Sequence, residues 1–288
     1  MADISAAAVV KLRKLSGQSM GECKKALEEA NGDMDKATDL LRKKGLATLA
    51  KRAERETSEG AVVAWLSPDG KTAAMATLCC ETDFVAKSDD FIALATNLRD
   101  YIATGTDQPG ASTVLQTVMA GKNFQEILTE VVSRTGEKMQ VGDYVRFNLA
   151  GPGIIGIYVH FNKKVGSMVQ IETDSEQVAQ SPDIKVAAAD FAMHITASKP
   201  IALDPSSIDP QTVEKEKAIY ADQVKDKPAQ VVDKIVEGKL KKFYADYCLV
   251  LQPFVKDDTK TVEQVLAEAA KQAGGKATIK QFVRFEVG

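Results

Sequence analysis

The chain of 288 residues carries a net charge of -3, with 44% hydrophobic and 27% charged residues, the balance of a soluble globular protein long enough for two or three modules. That charge argues against a dominant phosphate-binding surface, so no direct nucleic-acid partner is expected. No run approaches the roughly 18 consecutive apolar residues of a membrane span, and Asp3 stands where a secretory signal would be basic, so a non-secreted protein with no membrane partner is expected.

The first 45 residues read as three short helices. Ala8, Leu12 and Leu15 share one face of the first, and Gly17 sits where a C-terminal cap belongs. Ser19 and Glu22 form a capping box for the second, whose inner stripe is Cys23, Leu27 and Ala30. Gly32-Asp33 ends that helix and caps the third, which carries Ala37, Leu40 and Leu41 before Gly45. Residues 46–59 are charged and lack a wide apolar stripe, as expected of a connecting helix or linker.

The pattern changes at Gly60. A β-branched run to Leu66, the turn Ser67-Pro68-Asp69-Gly70 and the apolar run Thr72–Cys80 predict a β-hairpin. Phe91, Leu94, Ala95, Leu98 and Ile102 are spaced for an amphipathic helix. A loop at 105–111, a weaker helical stretch from 113 to 133 and a strand at Val145–Asn148 follow.

Residues 153–174 echo residues 60–83 as strand, turn, strand, with Glu172-Thr173-Asp174 set opposite Glu81-Thr82-Asp83 and a second Ala-rich helix at Ile184–Thr196. The expected fold is therefore α+β: a three-helix bundle (1–45), a linker (46–59), and two related subdomains (60–144 and 145–288), each an antiparallel sheet with helices packed on it. Inserted in the second is a helical hairpin, 208–238, broken at Lys227-Pro228. With only Val231, Val232, Ile235 and Val236 on its second helix it buries little, and reads either as a projecting contact element or as a solvated surface hairpin. Thr261 and Gln264 cap a last helix, and Lys280–Val287 is a closing strand.

Chemistry is hard to find. Cys23, Cys79, Cys80 and Cys248 have neither disulfide-framework nor CxxC spacing, and His160 and His194 are the only histidines, so no metal is expected. No phosphate loop, nucleophile elbow, HExxH or dinucleotide fingerprint occurs, and no cofactor or catalytic residue is expected. A binding protein is the better class, with a peptide-capturing adaptor or a thiol oxidoreductase built on Cys79-Cys80 as rivals.

A resemblance narrows this. Leu12-Arg13, Ser16-Gly17, Met20, Cys23-Lys24-Lys25-Ala26-Leu27 and Asn31-Gly32-Asp33 resemble the amino-terminal signature of the elongation factor Ts family, and Cys80-Glu81-Thr82-Asp83-Phe84-Val85-Ala86-Lys87 resembles its second. Further matches run in order: Tyr158 and His160 before Gly166, Met193-His194-Ile195, Ala197-Ser198-Lys199-Pro200, Glu237-Gly238, Lys241-Lys242-Phe243, Gln252-Pro253-Phe254-Val255 and Arg284-Phe285-Glu286-Val287-Gly288. Gly21 and Thr77 depart from residues common in the family, methionine and glutamate.

The resemblance implies a ubiquitin-associated-like bundle and a guanine-nucleotide exchange factor that binds elongation factor Tu in its GDP-bound and nucleotide-free forms. It makes Thr82, Asp83, Phe84 and Val85 the exchange element and Arg13, Met20, Lys24 and His160 further partner contacts. It also implies a homodimer or GTPase contact through the hairpin, and a cytoplasmic location or, for a processed form, an organelle matrix. Two of these residues have simpler explanations. Phe84 follows a strand, where phenylalanines are usually core, and Asp83 is placed to cap the next helix.

Overall fold

The computed structural model describes residues 4–225 and 228–288; Asp3 and the Lys227 of the expected helix break lie outside the described residues. Helices α1 (Ala6–Ser16), α2 (Met20–Glu29) and α3 (Met34–Lys51) form the amino-terminal bundle around Val9, Leu12, Cys23, Leu27, Ala37 and Leu41. Gly17 ends α1 in the left-handed region, φ 67°, its N–H donating to the Arg13 carbonyl, and Ser5, Ser19 and Asp33 cap the three helices.

Three expectations are corrected here. Leu15 is 70% exposed; Val9 and Leu12 form the stripe, and Ser16 takes the next inward position, where its hydroxyl meets Leu12 O and the Cys23 thiol. Ser19 accepts from Glu22 N, but the Glu22 carboxylate pairs with Lys44 instead of closing the capping box. Nor does α3 stop before Gly45. It continues to Lys51 because Gly45 lies mid-helix against a neighbouring helix, where a Cβ would come 2.9 Å from both the carbonyl oxygen and Cγ2 of Thr129. Glycine here serves close approach rather than termination.

The chain then builds β1 (Glu59–Leu66), β2 (Thr72–Cys80), α4 (Asp83–Ala86), α5 (Asp89–Thr104), α6 (Ala111–Gln116), β3 (Val118–Met119), β4 (Lys122–Asn123), α7 (Phe124–Thr135) and β5 (Met139–Asn148). Strand order is β1-β2-β5, all antiparallel. One face of the sheet packs on α5, α6 and α7 through Ala74, Ala76, Leu78, Phe91, Leu94, Leu98, Phe124 and Val132. The single helical stretch expected over 113–133 is two helices divided by a tight hairpin, with Ala120 (φ 50°) and Gly121 (φ 80°) both left-handed at its turn. Strand β5 starts at Met139, not Val145. Its first half was masked by Gly142-Asp143, which form a bulge opposite Thr77, whose hydroxyl accepts from Asp143 N at 2.8 Å.

The second unit repeats the plan: β6 (Gly153–Val159), β7 (Val165–Thr173), α8 (Glu176–Ala179), α9 (Pro182–Ser198), α10 (Pro210–Asp222), α11 (Ala229–Tyr247), β8 (Pro253–Phe254), β9 (Asp257–Thr261), α12 (Val262–Gln272) and β10 (Ala277–Glu286). Its strand order is β6-β7-β10. The correspondence is ungapped from Gly60 and Gly153 through the helix caps Ser88 and Ser181. After the insertion it resumes, with Asn123 and Thr261 each opening a helix with a full capping box. The register therefore differs from the one read off the shared Glu-Thr-Asp letters. Thr82 corresponds to Ser175, both one-turn helix caps, so Phe84 stands opposite Gln177 rather than Ser175.

The two sheets face each other through Val62, Met75, Phe147, Ile155 and Met168, leaving helices on the outer sides of an α+β molecule. Central strands β2 and β7 are buried on both faces, which is why they read as nearly continuous apolar runs. In the insertion no residue of α10 is buried, and α11 runs past 238 to Tyr247, its base seated by Phe243 and Tyr244 against Ala202, Ile208 and Cys248.

Buried His194 on α9 joins two segments that matched the family separately. Its Nδ1 accepts from Val255 N at 3.2 Å, so the proton sits on Nε2, which donates to Gln252 Oε1 at 2.9 Å. Burial pushes its pKa below the ordinary histidine value, although the Gln252 hydrogen bond opposes this. Below the unfolded-state pKa of about 6.5 the unfolded chain therefore binds more protons, and stability falls as pH drops toward the folded value. Urea unfolding between pH 8 and 5.5 is expected to show this loss, at most about 1.4 kcal/mol per pH unit for one proton, with a flatter profile in His194→Asn. An unchanged slope in the variant contradicts this assignment.

A candidate docking tip on the first subdomain

Strand β2 ends at Cys80, and the chain turns into α4, one turn long. Thr82 caps it, accepting from Val85 N at 3.3 Å while its hydroxyl donates to both Glu137 carboxylate oxygens at 3.0 and 3.1 Å. Asp83 is thus the first helical residue, not the cap. It pairs with Lys87 at 2.8 Å, and this hydrogen bond holds its carboxyl below the ordinary range. Ser88 then caps α5, so the tip lies between two short-range caps.

Phe84 points away from all of this and is 83% exposed. Val85 does not share that exposure; it is half-buried on the first subdomain's core, together with Ala86. The Phe84 ring is held in water on a turn fixed by the caps at Thr82 and Ser88.

Glu81, immediately before the cap, is the tip's main polar anchor. Its Oε1 accepts from Lys138 N at 2.5 Å and from Arg52 at 3.1 Å, and its Oε2 from Arg55 at 2.8 Å. Burial works to raise its pKa, but the Lys138 N–H and the two arginines outweigh it and leave the carboxyl below its ordinary value. Lys138 returns the tie, its Nζ donating to the carbonyls of Ala53 and Arg55 at 2.7 Å each. Sequence assigned no role to Glu81 or Glu137, because their partners are 26 to 57 residues away along the chain.

His160 lies at the start of the β6–β7 turn, half-buried, with its Nδ1 2.9 Å from the Tyr158 hydroxyl and its ring 4.4 Å from that of Phe161. Phe161, passed over in the sequence, is 87% exposed. The signal was available: an aromatic residue in a polar turn beside Asn162. Between this turn and α4–α5 runs a groove of about 520 Å³, lined by Ala86, Lys87 and Ile92 on one side and Phe161 and Lys163 on the other. The structure thus sets the neighbours of Phe84 and of His160 along one groove.

Arg13, Met20 and Lys24 lie on the bundle, all exposed, Lys24 only loosely paired with Glu28 at 3.8 Å. No hydrogen bond or ion pair among the described residues joins them to the tip.

Burial disfavours the reactive thiolate form at Cys79 and Cys80. Burial pushes Cys80 up to about 12, with Glu137 and Glu59 adding to the effect, and raises Cys79 and Cys248 as well. Among the described residues no three His, Cys, Asp or Glu side chains are grouped to hold a metal ion, and no helix is long and apolar enough to cross a membrane.

Comparison with known proteins gives the same direction throughout. The family model described as Elongation factor TS matches residues 81–288. An Elongation factor Ts of a Nitratiruptor species is 42% identical over 287 residues, covering 99% of this chain and 93% of its own. That of Desulfovibrio desulfuricans is 39% identical over 290 residues, covering 100% and 99%, and that of Nautilia profundicola 41% over 291, covering 100% and 94%. The chain belongs to the elongation factor Ts family.

Proposed function

We propose that this chain is a guanine-nucleotide exchange factor for elongation factor Tu in translation elongation, performing no covalent chemistry, with α4 as the element that disturbs the nucleotide site. The observation that carries this reading is Phe84, 83% exposed on a helix turn fixed by Thr82, Glu137 and Glu81.

The factor binds the GDP form, and a partner releases nucleotide only if it binds the nucleotide-free GTPase more tightly than the GDP complex. Moving the equilibrium from 1:99 to 99:1 needs about 10⁴-fold, or roughly 5.5 kcal/mol, of such preference. Burying one phenylalanine supplies about 1.5–3 kcal/mol. Phe84 therefore acts as a wedge against elements that support magnesium and phosphate, while other surfaces hold the body in place and GTP reloads the emptied site. Arg13, Met20 and Lys24 on the bundle and His160 beside the groove supply that hold. The α10–α11 hairpin, with Ile219 50% and Val231 42% exposed, adds a contact to the GTPase or to a second copy of the chain. The setting is the cytoplasm, or an organelle matrix for a processed form.

Release of a fluorescent GDP analogue from purified elongation factor Tu tests this. The chain is expected to accelerate release by more than about 100-fold, which corresponds to roughly 2.7 kcal/mol. No acceleration at saturating concentration overturns the reading.

A further inference from the structure

The two repeats hold their one-turn helices by different means. In the second unit, α8 is fastened by apolar burial, with Val178 2% and Ala179 0% exposed. Their counterparts on α4, Val85 and Ala86, are only half-buried, and α4 has no buried residue at all. The acid before each cap is conserved in geometry: Asp174 accepts from Lys276 N at 3.0 Å as Glu81 accepts from Lys138 N. Glu81 alone also takes two arginines, Arg52 and Arg55, from the segment that follows α3. The tip is lifted toward solvent, and polar contacts replace the burial that fixes its twin.

We infer that Glu81 is a positioning residue for nucleotide exchange: it sets the attitude of α4, and so of Phe84, and ties that tip through Arg52 and Arg55 to the tether of the amino-terminal bundle. This rests on the exchange reading above. Its carboxylate is only 15% exposed and meets three donors from two chain segments, so removing its charge frees both arginines while the backbone of β2 stays paired. The freed turn then presents Phe84 in many orientations, and the fraction of encounters with a wedge in place falls. Such a loss appears in the maximal rate more than in binding, because the other surfaces still hold the GTPase.

Stopped-flow release of a fluorescent GDP analogue from elongation factor Tu, with the full chain as wild type, Glu81→Gln, Phe84→Ala and the double variant, tests this. Arg55→Ala, at an exposed site, loosens the same carboxylate without altering it and serves if Glu81→Gln unfolds. The maximal rate is expected to fall about tenfold in Glu81→Gln and about threefold in Arg55→Ala, with half-saturation changed less than about twofold. The double variant is expected to match Phe84→Ala within about twofold, since a positioning residue has nothing left to position. Multiplying losses in the double variant, or a wild-type rate in Glu81→Gln and Arg55→Ala, overturns the positioning role while leaving the exchange reading intact. A wild-type rate in Phe84→Ala overturns the wedge, and only a failure of the wild-type chain to accelerate release overturns the exchange reading itself.

Discussion

Phe84→Ala is expected to slow GDP release from elongation factor Tu by roughly 10- to 100-fold while leaving the fold unchanged. The range follows from the 1.5–3 kcal/mol that burying the ring provides, at about 1.4 kcal/mol for each factor of ten. The fold should not respond, because the ring is 83% exposed and the same position in the second unit is Gln177. Thermal unfolding of the variant should therefore superimpose on wild type. If its unfolding temperature dropped, a hidden packing role would be indicated; if exchange were unchanged, the wedge would be wrong. Phe161→Ala is the informative companion, since that ring is equally exposed but lies across the groove. Its loss should weaken half-saturation more than the maximal rate, the mark of a contact that holds rather than disturbs.

The largest stability effect is expected at Gly156→Ala. Strand β6 passes so close to α9 that a Cβ at Gly156 would overlap the carbonyl carbon and oxygen of Ala188. Neither atom can rotate aside, so the helix must move off the sheet and unseat Ala188, Phe191 and Ala192 from the second core. Overpacking costs typically 1–3 kcal/mol where side chains can yield, and a rigid backbone obstacle puts this site at about 3 kcal/mol or above. Gly238→Ala is the opposite case, a helical glycine in α11 with nothing within 4 Å, and should stabilise by about 0.5–1 kcal/mol. Denaturant titration followed by circular dichroism separates the two signs. Trp65, the single tryptophan, reports from β1 in the other unit. Because the sheets share a core through Met75, Ile155 and Met168, its fluorescence transition is expected to shift with Gly156→Ala as well. An unmoved Trp65 transition would mean that the units unfold independently.

Much of this protein was legible in the residues alone. The caps at Gly17 and Thr261, the hairpin turn at Ser67–Gly70, the stripe of α5 and the doubled strand-turn-strand plan are local, and local sequence carries them because propensity, capping and periodicity act within a few residues. Where local signals misled, a distant neighbour had overridden them. Gly45 looked like a helix end until Thr129 approached it, and the first half of β5 was hidden by a bulge that only Thr77 explains. Shared letters misaligned the repeat by matching Glu-Thr-Asp, whereas coincident strand ends and caps align Thr82 with Ser175.

The same division holds at the tip. Sequence by itself determined that Thr82-Asp83-Phe84-Val85 is a turn after a strand and that a family resemblance centres there, since both follow from residue types in order, but it set the helix cap at Asp83 rather than Thr82. Only the tertiary structure decided which of the four faces solvent. Phe84 projects, Val85 lies half in the core, and Thr82 is bound to Glu137. It also decided that Glu81, to which the sequence assigned no role, meets Lys138, Arg52 and Arg55. The physical reason is range. A cap is closed by groups three residues away, but exposure and charge pairing depend on which segments the two cores bring together, and no local pattern encodes that distance.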